Sequence, residues 1–334
     1  MENNLLAFSS SPHVKNPRTT KNIMIDVCIA LLPACVMAVV YFGLSAFLLI
    51  AVSLASAIAF EFAYYLLMGK TFKQIASQFD YTTCVTGLLV ALVMGSQTPL
   101  YVPVFANAFA IIVVKLIFGG TGKNLVNPAI AGRIFAFISF TSVMAGGWIH
   151  PSISAIFGGT SFDIETGATA LTPIVNGGLL PNLSNWDLFL GTGLVGCIGE
   201  TCKLALIVGG IYLVIKKVIT PLFPIVYIAI TGLFTVCING FDFALFLPSI
   251  LSGGLILGAI FMATDYVTTP NSFAGNLIYF ALLGLVTAGL RAATGMEVVS
   301  FAILLMNLFV PLIDKFVMPK PFGYAKQKKV KGEQ

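Results

Sequence analysis

Apolar residues run in long unbroken stretches along this chain, separated by short segments rich in Gly, Pro, Asn, Thr and Lys. Neither the two-residue alternation of a half-buried strand nor the one-sided stripe of a soluble helix dominates. A helix that crosses a bilayer needs about 20 apolar residues. Ten runs approach or exceed that length, at roughly 23–42, 44–68, 82–96, 100–118, 129–146, 188–215, 219–238, 243–263, 275–290 and 298–317, the third and ninth being short. The pattern predicts an all-α polytopic membrane protein of about ten transmembrane helices. It divides into an N-terminal segment 1–22, a five-helix half 23–146, a long loop 147–187, a second five-helix half 188–317 and a basic tail 318–334.

Composition agrees. Apolar residues make up 58% of the 334 positions and charged residues 9%, against about 25% charged in a typical soluble domain. Such a chain cannot clothe itself in a solvated surface, and its natural solvent is lipid. Residues 1–22 are polar and lack an apolar region with a small-residue cleavage site, so the first apolar run is expected to stay as a helix. The six cysteines, Cys28, Cys35, Cys84, Cys197, Cys202 and Cys237, lie in or beside apolar runs and form no C-x-x-C pair. They read as buried thiols and not as a metal or iron–sulfur cage. His13 and His150 fall outside the runs and do not read as haem ligands. Nothing in the chain points to nucleic acid.

Charge sets an expected orientation. Lys15, Arg18 and Lys21 precede the first run, Lys70 and Lys73 follow the second, Lys123 and Arg133 flank the fourth-to-fifth connection, and Lys216 and Lys217 follow the sixth. Lys315 to Lys331 close the chain. With ten spans all of these fall on one face, which the positive-inside rule makes cytoplasmic, with both termini inside. The segment 147–187 contains no Lys or Arg and is expected to face outward. The tail lysines, Lys326, Lys328, Lys329 and Lys331, suit either contact with anionic lipid or a plain anchor.

Two five-helix halves would be related by an inverted repeat, because five is odd. Thr86-Gly87-Leu88-Leu89 resembles Gly253-Gly254-Leu255-Ile256, which would pair the third and eighth runs. Thr86-Gly87-Leu88 also resembles Thr231-Gly232-Leu233, which would pair the third and seventh. Two cytoplasmic loops, 119–128 and 264–271, are dense in Gly, Pro, Asn and Thr. Each suits a ligand or partner site as well as a plain tight turn.

Ionisable residues inside apolar runs are functional candidates. Asp26 opens the first run, Glu61 lies in the second, and Arg291 ends the ninth. Lys115 lies near the cytoplasmic end of the fourth, where it is expected to snorkel. Glu200 and Lys203 stand three apart in the sixth, so on a helix they would share a face and pair, either as a neutral structural unit or as part of an ion pathway. Asp265, at the membrane edge, could shape a cation or flavin site.

The outward loop carries Asp163-Ile164-Glu165-Thr166-Gly167-Ala168-Thr169, followed by Ala170-Leu171-Thr172-Pro173. This D-x-x-[ST]-G-A-T segment is similar to acceptor sequences at which a flavin transferase joins the phosphate of FMN to a threonine hydroxyl. The acceptor here would be Thr169, with Asp163, Thr166, Gly167, Ala168 and Thr172 around it. Only an oxygen nucleophile gives a phosphoester, and a loop exposes it to the modifying enzyme. Gly167 and Ala168 leave the approach uncrowded. The transferase would activate the hydroxyl, so this chain needs no base of its own.

With T-G-A-T at 166–169, G-K-N-L-x-N-P-A at 122–129 and F-M-A-T-D-Y-V-T-T-P at 261–270, nearly the whole chain resembles D subunits of Rnf complexes, the ion-translocating ferredoxin:NAD oxidoreductases. It is also similar to B subunits of sodium-translocating NADH:quinone reductases, which carry a longer N-terminal extension. The resemblance implies an electron-carrying subunit of a complex in the bacterial inner membrane. Its flavins would be FMN on Thr169 and a second, noncovalent flavin (riboflavin), with electron flow coupled to Na⁺ or H⁺ movement. It also implies partner subunits, among them an outward-facing flavinylated subunit and a cytoplasmic NAD-reducing subunit. The competing readings are a secondary transporter or channel and a structural anchor without a cofactor.

Overall fold

The computed structural model describes residues 18–144, 174, 178, 184–192 and 196–317. Among these residues there are thirteen α-helices and no strand.

The first helix, α1, covers Thr20–Leu67 and is broken at Gly43, whose φ of 65° and ψ of −144° only glycine adopts at low cost. Its arms, 20–42 and 44–67, are each about 35 Å long at 1.5 Å per residue. They correspond to the first two apolar runs and to the boundary between them. Next come α2 (Phe72–Gln78) and α3 (Thr82–Leu92), bent by 75° at their joint. With 11 residues, α3 is about 16 Å long, half of a 30 Å hydrocarbon core.

Helix α4 spans Tyr101–Leu116 and widens into π-turns over Phe109–Leu116. Helix α5 (Pro128–Ser139) starts with Asn127 as its cap and a proline in its first turn. The chain breaks at Phe140 before the short α6 (Thr141–Met144). After α7 (Asn185–Leu190), residues 196–202 are irregular and lead into α8 (Lys203–Ile215). The run 188–215 is therefore not one helix. Its glycines allow the excursion: Gly191 caps α7 at φ 83°, and Gly199 sits where a Cβ would lie 2.7 Å from the Leu92 carbonyl oxygen.

Helix α9 covers Leu222–Ile238. Helix α10 (Phe246–Leu251) follows a 3₁₀ turn at Phe243–Leu245 and meets α11 (Leu255–Leu257, continued in π-turns to Met262) at a 67° bend. Helix α12 covers Phe273–Thr294, 22 residues rather than the short 275–290 expected from hydropathy. Thr287 and Arg291 dilute that apolar run, but both are buried and hydrogen-bonded. The last helix is α13 (Val299–Phe316).

Among the described residues three helices, α1, α12 and α13, are long and apolar enough to cross a membrane singly, and two bent pairs pass the same test together. The outward sides of the helices carry exposed apolar groups such as Leu32, Val36, Leu44, Ile211 and Ile215. Lipid is the solvent that such a surface fits. Inside, small residues let the backbones close up, as in membrane bundles generally. Gly87 packs on Ala57 and Leu54, Gly132 on Ala106, and Gly209 on Ala30. Polar bonds tie helices together at depth. Asn107 of α4 donates to the Ser53 carbonyl of α1 at 2.8 Å, and the Ser53 hydroxyl donates to the Gly87 carbonyl of α3 at 2.7 Å.

Gly209→Ala tests the close approach. Its Cβ would lie 2.1 Å from the Ala30 carbonyl oxygen, so thermal unfolding in detergent should show a loss of about 1–3 kcal/mol, the usual cost of overpacking. Gly289→Ala, with open space around it, should leave stability unchanged or slightly raised.

Candidate functional site

The two Gly- and Asn-rich loops come together. They close a cavity of about 620 Å³ whose other walls are the first arm of α1 with α3, α8 and α11. In the first loop, Gly119, Gly120 and Gly122 take φ of 106°, 91° and 86°, so the tight turn depends on glycine. Asn127 joins this loop to its counterpart. Its side chain accepts from the Ala129 N–H at 3.0 Å and donates to the Met262 carbonyl at 3.1 Å. With its amide turned to satisfy both ends, Asn307 of α13 donates to the Thr268 carbonyl and accepts from the Asn127 N–H, both at 3.2 Å.

The second loop folds around Asp265. The Thr268 hydroxyl donates to its carboxylate at 3.1 Å and the Thr269 hydroxyl to its carbonyl at 2.9 Å. Burial pushes the Asp265 carboxyl above its ordinary value, against the Thr268 hydroxyl and the Val267 N–H, which favour the charged form. The cavity is apolar along Val27, Val85, Leu89 and Phe261 and polar at Thr82 and Asn124. A pocket of this size and character suits a small organic ligand.

A buried charge cluster lies behind one wall. The Lys115 ammonium donates to Glu61 Oε1 at 3.0 Å, to the Thr82 hydroxyl at 2.6 Å and to the Thr83 hydroxyl at 2.7 Å. Asp80 lies 3.9 Å away and accepts from the Thr82 N–H, the first of α3, at 3.1 Å. Lys115 is 2% exposed. It does not snorkel to the surface as expected, because Glu61 on the second arm of α1 and the hydroxyls at the α2–α3 joint hold it inside.

A second cluster surrounds the α10–α11 bend. Arg291 of α12 donates to the Ser249 carbonyl at 2.9 Å, the Ser252 carbonyl at 3.3 Å and Glu297 Oε2 at 2.9 Å. Lys203 donates to the Gly253 carbonyl at 3.0 Å and to the backbone carbonyl of Glu200. Glu200 Oε1 accepts from the Cys197 N–H at 2.9 Å. Glu200 and Lys203 therefore do not pair as helix neighbours. Glu200 lies in the irregular segment before α8, which begins only at Lys203, and the Lys203 ammonium serves carbonyls instead.

Of the candidate residues, Glu61 and Asp265 flank the cavity while Glu200 and Lys203 belong to the other cluster. Asp163, Thr166, Gly167, Ala168, Thr169 and Thr172 lie outside the described residues. Sequence reasoning passed over Asp80 and Glu297. Asp80 had a signal, an acid just before Thr82-Thr83 at the start of an apolar run, which is a helix-cap pattern. Cys35, Cys197 and Cys202 are buried and Cys237 is exposed. Among the described residues no group of His, Cys, Asp and Glu could hold a metal ion.

Broken apolar helices, buried charges at the breaks and a loop-closed cavity define a multi-pass membrane protein with a built interior site. The chain belongs to the NQR2, RnfD, RnfE family, whose model matches residues 7–323. It is 38% identical, over 97% of both chains, to the D subunit of the Na(+)-translocating ferredoxin:NAD(+) oxidoreductase complex of Acetobacterium woodii. It is 34% identical, over 97% of this chain and 98% of the relative, to the D subunit of the proton-translocating ferredoxin:NAD(+) oxidoreductase complex of Clostridium ljungdahlii. The D subunit of an ion-translocating oxidoreductase complex of Actinobacillus succinogenes is 32% identical over 96% of this chain and 99% of the relative.

Glu297→Ala would strand Arg291 in the interior, and breaking a buried pair costs about 3–5 kcal/mol. A large fall in thermal stability is expected, and Glu297→Gln should recover part of it through its amide oxygen. Asp265 supplies a pH test. Its folded-state carboxyl binds a proton more tightly than the ordinary value of 3.8, so stability falls as pH rises from there through the raised value. Asp265→Asn should flatten that part of the stability profile.

Proposed function

We propose that this protein is a membrane subunit of an ion-translocating ferredoxin:NAD-type complex and carries electrons on two flavins. One is FMN, esterified to Thr169 in the outward loop. The other is a noncovalent riboflavin in the cavity between the two loops. Extensive similarity to D subunits of such complexes supports the assignment, and the cavity is the observation that carries the second flavin. Its apolar walls match the faces of a flat ring system, and Thr82, Asn124 and Asp265 offer hydrogen-bonding groups for its polar edge. A bound flavin supplies the redox chemistry, and the protein supplies position and electrostatics. The apolar wall residues would flank the ring and fix its plane. The bonded pair of loops forms one side of the site.

Ten spans in two inverted halves follow from the same reading. The third and eighth spans are both broken, and each break is clamped by a cation from the C-terminal part of the next long helix. Lys115 of α4 serves the first and Arg291 of α12 the second. Both termini and the cavity are then cytoplasmic, in the bacterial inner membrane, and the Thr169 loop faces out. Electrons from partner subunits reach the outward FMN and return inward to an NAD-reducing subunit, with Na⁺ or H⁺ as the coupled ion. A flavin transferase matures the chain. Broken helices also suit a solute carrier, and flavin content separates the two readings.

The test is flavin fluorescence in the protein's band on a denaturing gel, after production alongside a flavin transferase. Chymotryptic cuts after Phe162 and Leu171 should release the segment 163–171 with an FMN-sized addition. Thr169→Ala should abolish the signal. An unmodified segment under these conditions favours the carrier.

A further inference from the structure

Lys115 faces two ways. It lines the cavity, and its three donors are all engaged by Glu61, Thr82 and Thr83 behind the wall. Glu61 is 4% exposed and its Oε2 is buried with no partner. A buried oxygen left unbonded is costly, so this carboxylate is only half satisfied by the cluster. Asp80 stands on the same side, its Oδ2 accepting from the Thr121 hydroxyl at 2.5 Å. One buried cation is thus set against two carboxylates, and the cation is the member that touches the cavity. The other charged groups on the cavity wall are Arg18, Lys217 and Asp265. Arg18 and Lys217 are exposed to solvent, where their fields are screened. Asp265 belongs to the opposite loop.

We propose that Lys115 is a positioning residue that sets the reduction potential of the cavity's flavin, and that Glu61 holds its field in check. This rests on the flavin reading of the cavity given above. Electron uptake would add negative charge to a bound ring; the Lys115 ammonium on the cavity wall would favour that charge and the Glu61 carboxylate behind it would oppose it. The two side chains therefore shift the potential in opposite directions. A purely structural pair would not, because losing either partner would damage the same packing.

The test uses the full chain carrying Thr169→Ala, purified in detergent and loaded with riboflavin. Binding is followed by fluorescence quenching, and the midpoint potential by optical redox titration. Lys115→Gln should weaken the reduced form relative to the oxidised form about tenfold, a fall of about 59 mV for one electron. Glu61→Gln should raise the potential. Lys115→Arg, which keeps the charge, should retain the parent value, and the double Glu61→Gln/Lys115→Gln variant should fall between the singles. If a Lys115 variant does not fold, the sign of the Glu61→Gln shift still decides. Bound riboflavin whose potential is unmoved, or moves the same way in both single variants, overturns the role of Lys115 and leaves the cavity reading standing. A parent chain that binds no riboflavin overturns both.

Discussion

A helix that stops inside a bilayer leaves carbonyls at one end and N–H groups at the other, and lipid offers neither a partner. The rest of this structure is organised around that constraint. Helix α3 is too short to cross a bilayer alone, and its last carbonyls are taken by another break in the chain. The Ile198 N–H donates to the Met94 carbonyl at 3.0 Å and the Gly199 N–H to the Leu92 carbonyl at 2.8 Å. At the α10–α11 bend the donors are side chains, Arg291 and Lys203, both buried. These two buried cations are thus backbone caps first. Glu297 keeps Arg291 from being an isolated charge, which the interior would not tolerate.

This explains why the charges were legible as important but not as pairs. An ionisable residue in an apolar run stands out at once. Its partner stands far away in the chain: Lys115 meets Glu61 across 54 positions, and Arg291 meets Ser249 across 42. The expected Glu200–Lys203 helix-face pair assumed a helix that glycines interrupt, and the Lys203 ammonium reaches the Glu200 backbone carbonyl instead. Hydropathy sums over a run and does not register a break, so 188–215 and 243–263 read as continuous. Gly43 was legible because it falls between two runs that are each long enough to span.

The two loops were legible for a different reason. Gly, Asn and Pro concentrate where the backbone must turn tightly, and those residues stand in sharp contrast to the apolar runs around them. Sequence could not say that loops well over a hundred positions apart form one site. Asn127 makes that connection, and asparagine suits it because one amide supplies both an acceptor for the α5 cap and a donor for the Met262 carbonyl.

The cavity and the first charge cluster share a wall because α3 starts there. Thr82 opens the helix, lines the cavity and holds the Lys115 ammonium at 2.6 Å. One residue thereby joins the cap of a half-span, a buried cation and the surface of a ligand site. The α2–α3 joint sets the Thr82 and Thr83 hydroxyls where they hold that ammonium beside the cavity.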